Sequence, residues 1–191
     1  MSRLLARGFK SGAERLAGQT RAELGLGPFD RLDPGLLASH LCIPVVGLGD
    51  LDWSRDDHGG ADLDRLAAVT VALDEGAVVV VNDSHPTTRQ VSSLSHELAH
   101  LLLEHPPRPV LGARRWEPEL EAKADWLGAA LLVPEEAARV CAIGGASDAE
   151  VARRFAVSPA LARWRLDATG ARRVAAHVRA KRARTARTGT Q

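Results

Sequence analysis

Tyrosine is absent from this 191-residue sequence, cysteine occurs twice, methionine once, and aromatic residues make up only 4% of the chain. Cys42 and Cys141 stand far apart without a CxxC partner, which excludes a disulfide scaffold and a cysteine metal site. No stretch approaches the roughly 18 consecutive apolar residues of a membrane-spanning helix, and residues 1–18 lack an apolar run of signal-peptide length. These absences predict a protein of a reducing compartment, the cytoplasm.

Acidic residues are missing from the C-terminal end of the chain. The sequence holds 25 basic and 24 acidic residues, but from Ala171 onward there are seven basic residues and no acidic one. The first 170 residues therefore carry 18 basic and 24 acidic residues, a net charge of −6. We expect a mildly acidic folded body followed by a basic tail, 171–191, that is frayed or disordered. Such a run is usually solvated, and nonspecific contact with phosphate is the alternative.

Apolar periodicity and turn residues predict an α+β fold. Asp33-Pro34 favours a helix start, with the Asp as N-cap, and a short strand at 43–46 follows that helix. The β-type runs 67–73 and 77–81 flank Asp74-Glu75-Gly76, which favours a hairpin with a three-residue turn. Since the second run does not alternate between apolar and polar residues, we expect it to be buried on both faces.

A candidate metal site lies inside the next predicted helix. Residues 87–104 repeat apolar positions at steps of three and four, and Thr87-x-x-Gln90 has the form of a capping box. Within this helix, His96-Glu97-Leu98-Ala99-His100 places two imidazoles on one face, about 5–6 Å apart at Cβ, where both can bind one metal ion. The Glu97 carboxylate can deprotonate a metal-bound water, which is the HExxH arrangement of zinc hydrolases.

A catalytic zinc needs a third protein ligand and an open position. The second long helix, predicted from Pro118 to Pro134, supplies Glu121, which completes a two-His, one-Glu set. Asp125, one turn later, can accept a hydrogen bond from the ring N–H of a ligand His. Glu117 and Glu119 remain alternatives for the third ligand. A solvated helix face without a metal is the less favoured interpretation, because helix and spacing both fit a site.

The HELAH helix, the block ELEAKADWLGAALLVP and the preceding VVVVND strand resemble the ImmA/IrrE family of bacterial metallopeptidases over roughly residues 30–170. The resemblance implies a minimal zincin-like fold of the gluzincin type, with a small, mainly antiparallel sheet packed on the active-site helix and a second metal-ligand helix. It places His96, His100 and Glu121 on Zn²⁺ and makes Glu97 the general base. The family's usual second block differs here at five positions, none of them a proposed ligand: Lys123, Asp125, Leu127, Gly128 and Val133.

The missing tyrosine limits which groups can stabilise the oxyanion of a peptidase reaction beside the metal. His105 and Arg89 are the favoured catalytic candidates for this role, and His85 is a further one. Substrate backbone is expected to pair with an exposed strand edge by β-addition, although the sequence does not indicate which strand.

The segment after the second long helix has a helix-turn-helix pattern. Ser147-x-x-Glu150 has the form of a capping box, and Ser158-Pro159 starts another helix. Arg163 and Arg165 could project from this unit into a DNA groove, but we favour two helices that close the peptidase domain. The predicted organisation is an N-terminal helical segment (1–29), a zincin-like metallopeptidase core (30–143), a helix-turn-helix-like unit (144–170) and the basic tail (171–191).

Together these features predict a zinc-dependent endopeptidase of narrow specificity. By the resemblance, its substrate is a helix-turn-helix transcriptional repressor whose cleavage derepresses mobile-element or stress genes. The alternative is a non-proteolytic DNA- or repressor-binding regulator with a structural or vestigial metal site, in which residues 148–187 contact DNA. The intact Glu97 favours the enzyme, because a purely structural metal site has no use for a general base.

Overall fold

The structure, a computed structural model, describes residues 5–51, 66–74, 76–106 and 117–188. Within these ranges the chain forms eight helices and a small three-stranded sheet, which confirms the predicted α+β class. In chain order the elements are α1 (Phe9–Glu23), α2 (Pro34–His40), β1 (Val45–Gly47), a 3₁₀ turn (Leu48–Asp50), β2 (Ala68–Leu73), β3 (Gly76–Val81), α3 (Thr87–Leu102), α4 (Pro118–Leu132), α5 (Glu135–Ile143), α6 (Asp148–Phe155), α7 (Pro159–Ala168) and α8 (Ala171–Thr188).

The sheet has the strand order β1-β3-β2, so β3 is the central strand. It pairs in parallel with β1 and antiparallel with the longer β2. Val79, Val80 and Val81 are buried, as the absence of alternation predicts for a strand covered on both faces. The predicted three-residue turn is wrong, since Leu73 already pairs with Gly76 and extends the ladder by one residue pair.

Helices α3 and α4 pack against each other and carry the predicted metal ligands. Their contact is close because Gly128 of α4 has no side chain: a Cβ there would lie 3.1 Å from the Ser95 carbonyl oxygen and 3.3 Å from the His96 Cα. The Ser95 hydroxyl donates a hydrogen bond of 3.0 Å to the Gly128 carbonyl oxygen. Leu98 and Leu127 are fully buried in the core that this contact helps to form.

Most of the predicted helix starts agree with the structure. The Asp33 side chain accepts from the Gly35 N–H at 2.9 Å, and Ser147 and Glu150 form a complete capping box. The predicted capping box at Thr87 is wrong. A capping box needs Thr87 as the N-cap, but Pro86 holds the N-cap position and Thr87 is already the first helical residue of α3. Gln90 instead donates its side-chain amide to two carbonyl oxygens before the helix, those of Asp83 and His85.

The basic segment that composition predicts as a frayed or disordered tail is helical as α8. Ala171 and Ala175, one turn apart, are buried where α8 packs on α5 and α7. Their apolar contact fixes the start of the helix, and Arg172 pairs with Asp148 and Asp167. In the part of the chain that the structure describes, no helix has the length and apolar character needed to cross a membrane.

A buried polar network joins the first helix to the C-terminal helices. Arg165 of α7 is fully buried and donates from Nη2 to both carboxylate oxygens of Glu14 on α1, at 2.6 and 2.7 Å. The same carboxylate accepts from the indole N–H of Trp126 at 3.0 Å, and Arg165 Nε donates to the Val133 carbonyl oxygen at 2.7 Å. Arg165 therefore cannot project into a DNA groove, which corrects that part of the sequence-based prediction.

Candidate metal centre

The two histidines of the HELAH stretch direct their Nε2 atoms at a common point. These atoms are 3.1 Å apart, and the rings meet edge to face with centroids 4.8 Å apart. The convergence follows from helix geometry, because residues i and i+4 lie one above the other on one face of α3. His100 is buried, whereas the His96 side chain remains 22% exposed toward the cavity beside it.

Glu121, in the first turn of α4, brings its carboxylate to the same point. One oxygen lies 3.4 Å from His96 Nε2 and the other 3.6 Å from His100 Nε2. Ligand atoms about 2.0–2.1 Å from a tetrahedral zinc ion lie about 3.3 Å from each other, and the separation of the two Nε2 atoms and the shortest separation of each from the carboxylate are close to that value. The donor set of two imidazoles and one carboxylate suits zinc, and these three residues form a group that could hold a metal ion.

Each imidazole has a partner at its other nitrogen. His96 Nδ1 lies 3.0 Å from Asp125 Oδ1, one turn beyond Glu121 on α4. His100 Nδ1 lies 2.9 Å from the Nδ1 of His105. Partners of this kind hold a ligand ring in one orientation and one tautomer, with the Nε2 lone pair directed at the metal.

The side chain of Glu97 extends from α3 to the edge strand β2. One oxygen of its carboxylate accepts two hydrogen bonds from Thr70, from the backbone N–H at 3.0 Å and from the hydroxyl at 2.7 Å. Sequence reasoning missed Thr70, since a threonine within a short β-type run gives no local signal of a contact with a helix 27 residues away.

The alternative third ligands are engaged or placed elsewhere. Glu119 forms an ion pair of 2.7 Å with Lys123, and this hydrogen bond holds the pKa of the Glu119 carboxyl below its ordinary value. Glu117 is exposed at the N-cap position of α4. The structure therefore brings only Glu121 of these three carboxylates to the two histidines, within the residues it describes.

The structure separates the candidates for oxyanion stabilisation. His105 contacts the candidate ligand His100 and lines a cavity beside Glu97. Arg89 is exposed in the first turn of α3, two turns and about 10 Å along the axis from His96. His85 precedes α3, and neither His85 nor Arg89 lines either cavity beside the metal group.

Two cavities meet at Glu97. The larger, about 380 Å³, is bordered by Ala68 at the start of β2 and by the faces of α3 and α4 that carry His96, Glu121 and Asp125. The smaller, about 220 Å³, lies toward the C-terminal end of α3 and contains Thr70 and His105 in its wall. A substrate chain that passes along β2 would therefore have space on both sides of the general-base candidate.

One comparison with known proteins identifies the family. The Peptidase_M78 family model, described as an IrrE N-terminal-like domain, matches residues 54–167. The match spans both helices that carry the candidate metal ligands, strands β2 and β3, and the α6–α7 unit. A search of curated proteins finds no match to the chain. Because the matched segment is more than half of the sequence and contains the whole metal group, this chain belongs to the Peptidase_M78 family of IrrE N-terminal-like domains.

Proposed function

We propose that this protein is a zinc-dependent endopeptidase of narrow specificity. The observation that carries the proposal is the convergence of His96, His100 and Glu121 with Glu97 adjacent to them on α3. Membership of the Peptidase_M78 family, whose model covers these residues, supports the same conclusion. In this assignment the three converging residues hold Zn²⁺, and Asp125 orients His96.

When bound, zinc supplies Lewis acidity, which lowers the pKa of water and polarises a peptide carbonyl. Glu97 then acts as the general base: it takes the proton from the attacking water and passes it to the leaving amine. Thr70 holds one oxygen of this carboxylate, so the orientation of the base is set before substrate arrives. His105 and Arg89 remain the sequence-based candidates for an oxyanion partner, and the distance of Arg89 along α3 makes it the weaker one.

The substrate backbone is proposed to pair with β2. This strand lies at an edge of the sheet, and its Thr70 N–H, which points away from β3, is already bonded to the Glu97 carboxylate, so a peptide would pair with the other outward-facing backbone groups of β2. A peptide added to that edge by β-augmentation would lie next to the general base and would cross both cavities. The other edge strand, β1, has no such contact with Glu97 among the described residues.

The proposed substrate is a helix-turn-helix transcriptional repressor, whose cleavage would derepress mobile-element or stress genes in the cytoplasm. Support for this finer assignment comes from the resemblance to the ImmA/IrrE family. A narrow target also agrees with a small catalytic domain whose substrate must fit beside one short edge strand.

The test compares wild type with Glu97→Gln in zinc binding and in cleavage of repressors encoded near the gene. We expect Glu97→Gln to bind one zinc ion with unchanged affinity and to lose cleavage by about 10²–10⁴-fold, the usual contribution of a general base. Glu136→Gln, an exposed change on α5, serves as the matched control and should retain full activity.

Two outcomes would contradict the proposal. A wild-type protein that binds no divalent metal would remove the metal centre. A Glu97→Gln variant that binds zinc and relieves repression as well as wild type would show a non-proteolytic regulator, the alternative function.

A further inference from the structure

The C-terminal end of α3 folds the chain back onto a proposed metal ligand. Glu104 adopts a left-handed backbone conformation with φ of 52°. The His105 N–H donates to the His100 carbonyl oxygen and the Glu104 N–H to the Leu101 carbonyl oxygen, both at 3.0 Å. These two bonds are the pattern of a Schellman motif, the common way to end a helix with a left-handed residue.

This turn places the side chain of His105 against the ring of His100. The two Nδ1 atoms are 2.9 Å apart, and the rings meet edge to face with centroids 4.9 Å apart. Because a Schellman motif fixes the backbone on both sides of the left-handed residue, the contact follows from the five-residue spacing between the two histidines. His100 is buried, so a hydrogen bond at its Nδ1 must come from the protein.

The tautomers of the two rings follow from the proposed metal site. A histidine that binds a metal ion through Nε2 must keep that nitrogen unprotonated, and since the Nε2 of His100 is the atom that converges with His96, the single proton of neutral His100 resides on Nδ1. His100 Nδ1–H can then donate to the Nδ1 lone pair of His105, whose own proton resides on Nε2. The opposite arrangement would place the proton of His100 on the nitrogen that faces His96 and Glu121.

We propose that His105 is a positioning residue, which accepts a hydrogen bond from His100 Nδ1–H and holds that ring with its Nε2 directed at the metal. It does for His100 what Asp125 does for His96, so each imidazole ligand has its own partner. This inference rests on the proposed metal site, but it requires no peptidase activity. It gives His105 a role that acts through His100 and differs from direct stabilisation of an oxyanion.

The test exchanges His105 for two side chains of similar size. In His105→Asn the amide oxygen occupies the δ position and can accept the same hydrogen bond, whereas His105→Leu offers no acceptor there. The apparent zinc dissociation constant is measured by competition with a chelator. The visible spectrum of the Co²⁺-substituted protein reports the geometry of the site without any substrate.

We expect His105→Leu to weaken zinc binding by about 10–100-fold and to change the Co²⁺ spectrum, since partners of metal ligands have effects of this size. His105→Asn should stay within about threefold of wild type. His40→Leu, an exposed histidine at the end of α2, is the control and should leave zinc binding unchanged. If the Leu variant does not fold, as judged by circular dichroism of the metal-free protein, His105→Ala takes its place.

Two results in the His105 variants would overturn the inference. Wild-type zinc affinity in the Leu or Ala variant would show that His100 needs no partner. An equal loss in the Asn and Leu variants would show that His105 acts through packing instead of as an acceptor. A wild type that binds no metal would overturn both this inference and the proposed function. A wild type that binds zinc and cleaves no peptide would contradict the proposed function alone, since the His105 series would still behave as expected.

Discussion

Thr70 donates two hydrogen bonds to one carboxylate oxygen of Glu97, from its backbone N–H at 3.0 Å and from its hydroxyl at 2.7 Å. The pair ties the general-base candidate on α3 to the edge strand on which substrate is proposed to lie. Strand β2 would therefore both orient the Glu97 carboxylate and align the substrate peptide.

Replacing Thr70 with Val removes the hydroxyl and keeps the backbone hydrogen bond and the β-branched shape. We expect kcat/KM for peptide cleavage to fall about tenfold, because a hydrogen bond to a charged group contributes about 1.5–3 kcal/mol and the backbone bond remains. Zinc affinity should not change, since the hydroxyl of Thr70 bonds to Glu97, which is not a proposed ligand. The control is Thr87→Val on the exposed first residue of α3. Full activity in Thr70→Val would contradict the role of the hydroxyl.

Asp125 provides a second test, on the His96 side of the centre. Asp125→Asn retains an oxygen that can accept from His96 Nδ1–H, and we expect zinc affinity within a few-fold of wild type. Asp125→Leu removes the acceptor and should weaken zinc binding by about 10–100-fold. Competition with a chelator measures both variants. Equal affinity in the two variants would show that the 3.0 Å contact does not support the metal site.

The predictable part of the centre is the part set by local spacing. His96 and His100, and likewise Glu121 and Asp125, lie four residues apart on helices with clear periodicity, so a sequence pattern indicates their shared faces. Thr70 and Glu97 meet only after the sheet has packed on α3, and no pattern within either segment predicts that contact. The sequence shows the five-residue spacing of His100 and His105, but the contact between their rings depends on the left-handed conformation of Glu104, which the sequence does not indicate.

Arg165 shows the same limit in the C-terminal unit. A helix-turn-helix pattern places it on a short amphipathic helix, where a basic residue normally faces solvent. Its partner Glu14 lies 151 residues earlier, and only the packing of α1 against the C-terminal helices brings the two together. The disordered tail was predicted from charge alone. Ala171 and Ala175, whose burial holds α8 in place, do not stand out in the composition of this basic segment.

Gly128 gives a prediction about how α3 and α4 are held together. A Cβ on residue 128 would lie 3.1 Å from the Ser95 carbonyl oxygen, so Gly128→Ala requires the backbone of α3 to move by a few tenths of an ångström. We expect a loss of about 1–3 kcal/mol in the free energy of unfolding, typical of overpacking, with weaker zinc binding because Glu121 moves with α4. Gly18→Ala in α1, where a Cβ meets no atom within 4 Å, should stabilise by about 0.4–1 kcal/mol. Urea denaturation compares the two, and a stabilising Gly128→Ala would contradict this prediction, because α3 would then have accommodated the added methyl group.

The two arginines of α7 separate a structural role from a DNA-binding one. Arg165→Met leaves the Glu14 carboxylate without its guanidinium in a mostly buried position, and we expect the free energy of unfolding to fall by about 3–5 kcal/mol. Arg163→Met removes an exposed ion pair with Asp148 and should cost less than about 1 kcal/mol. Chemical denaturation of both variants measures the difference. Equal stabilities would contradict the buried network, and would return Arg165 to the set of side chains free to contact DNA.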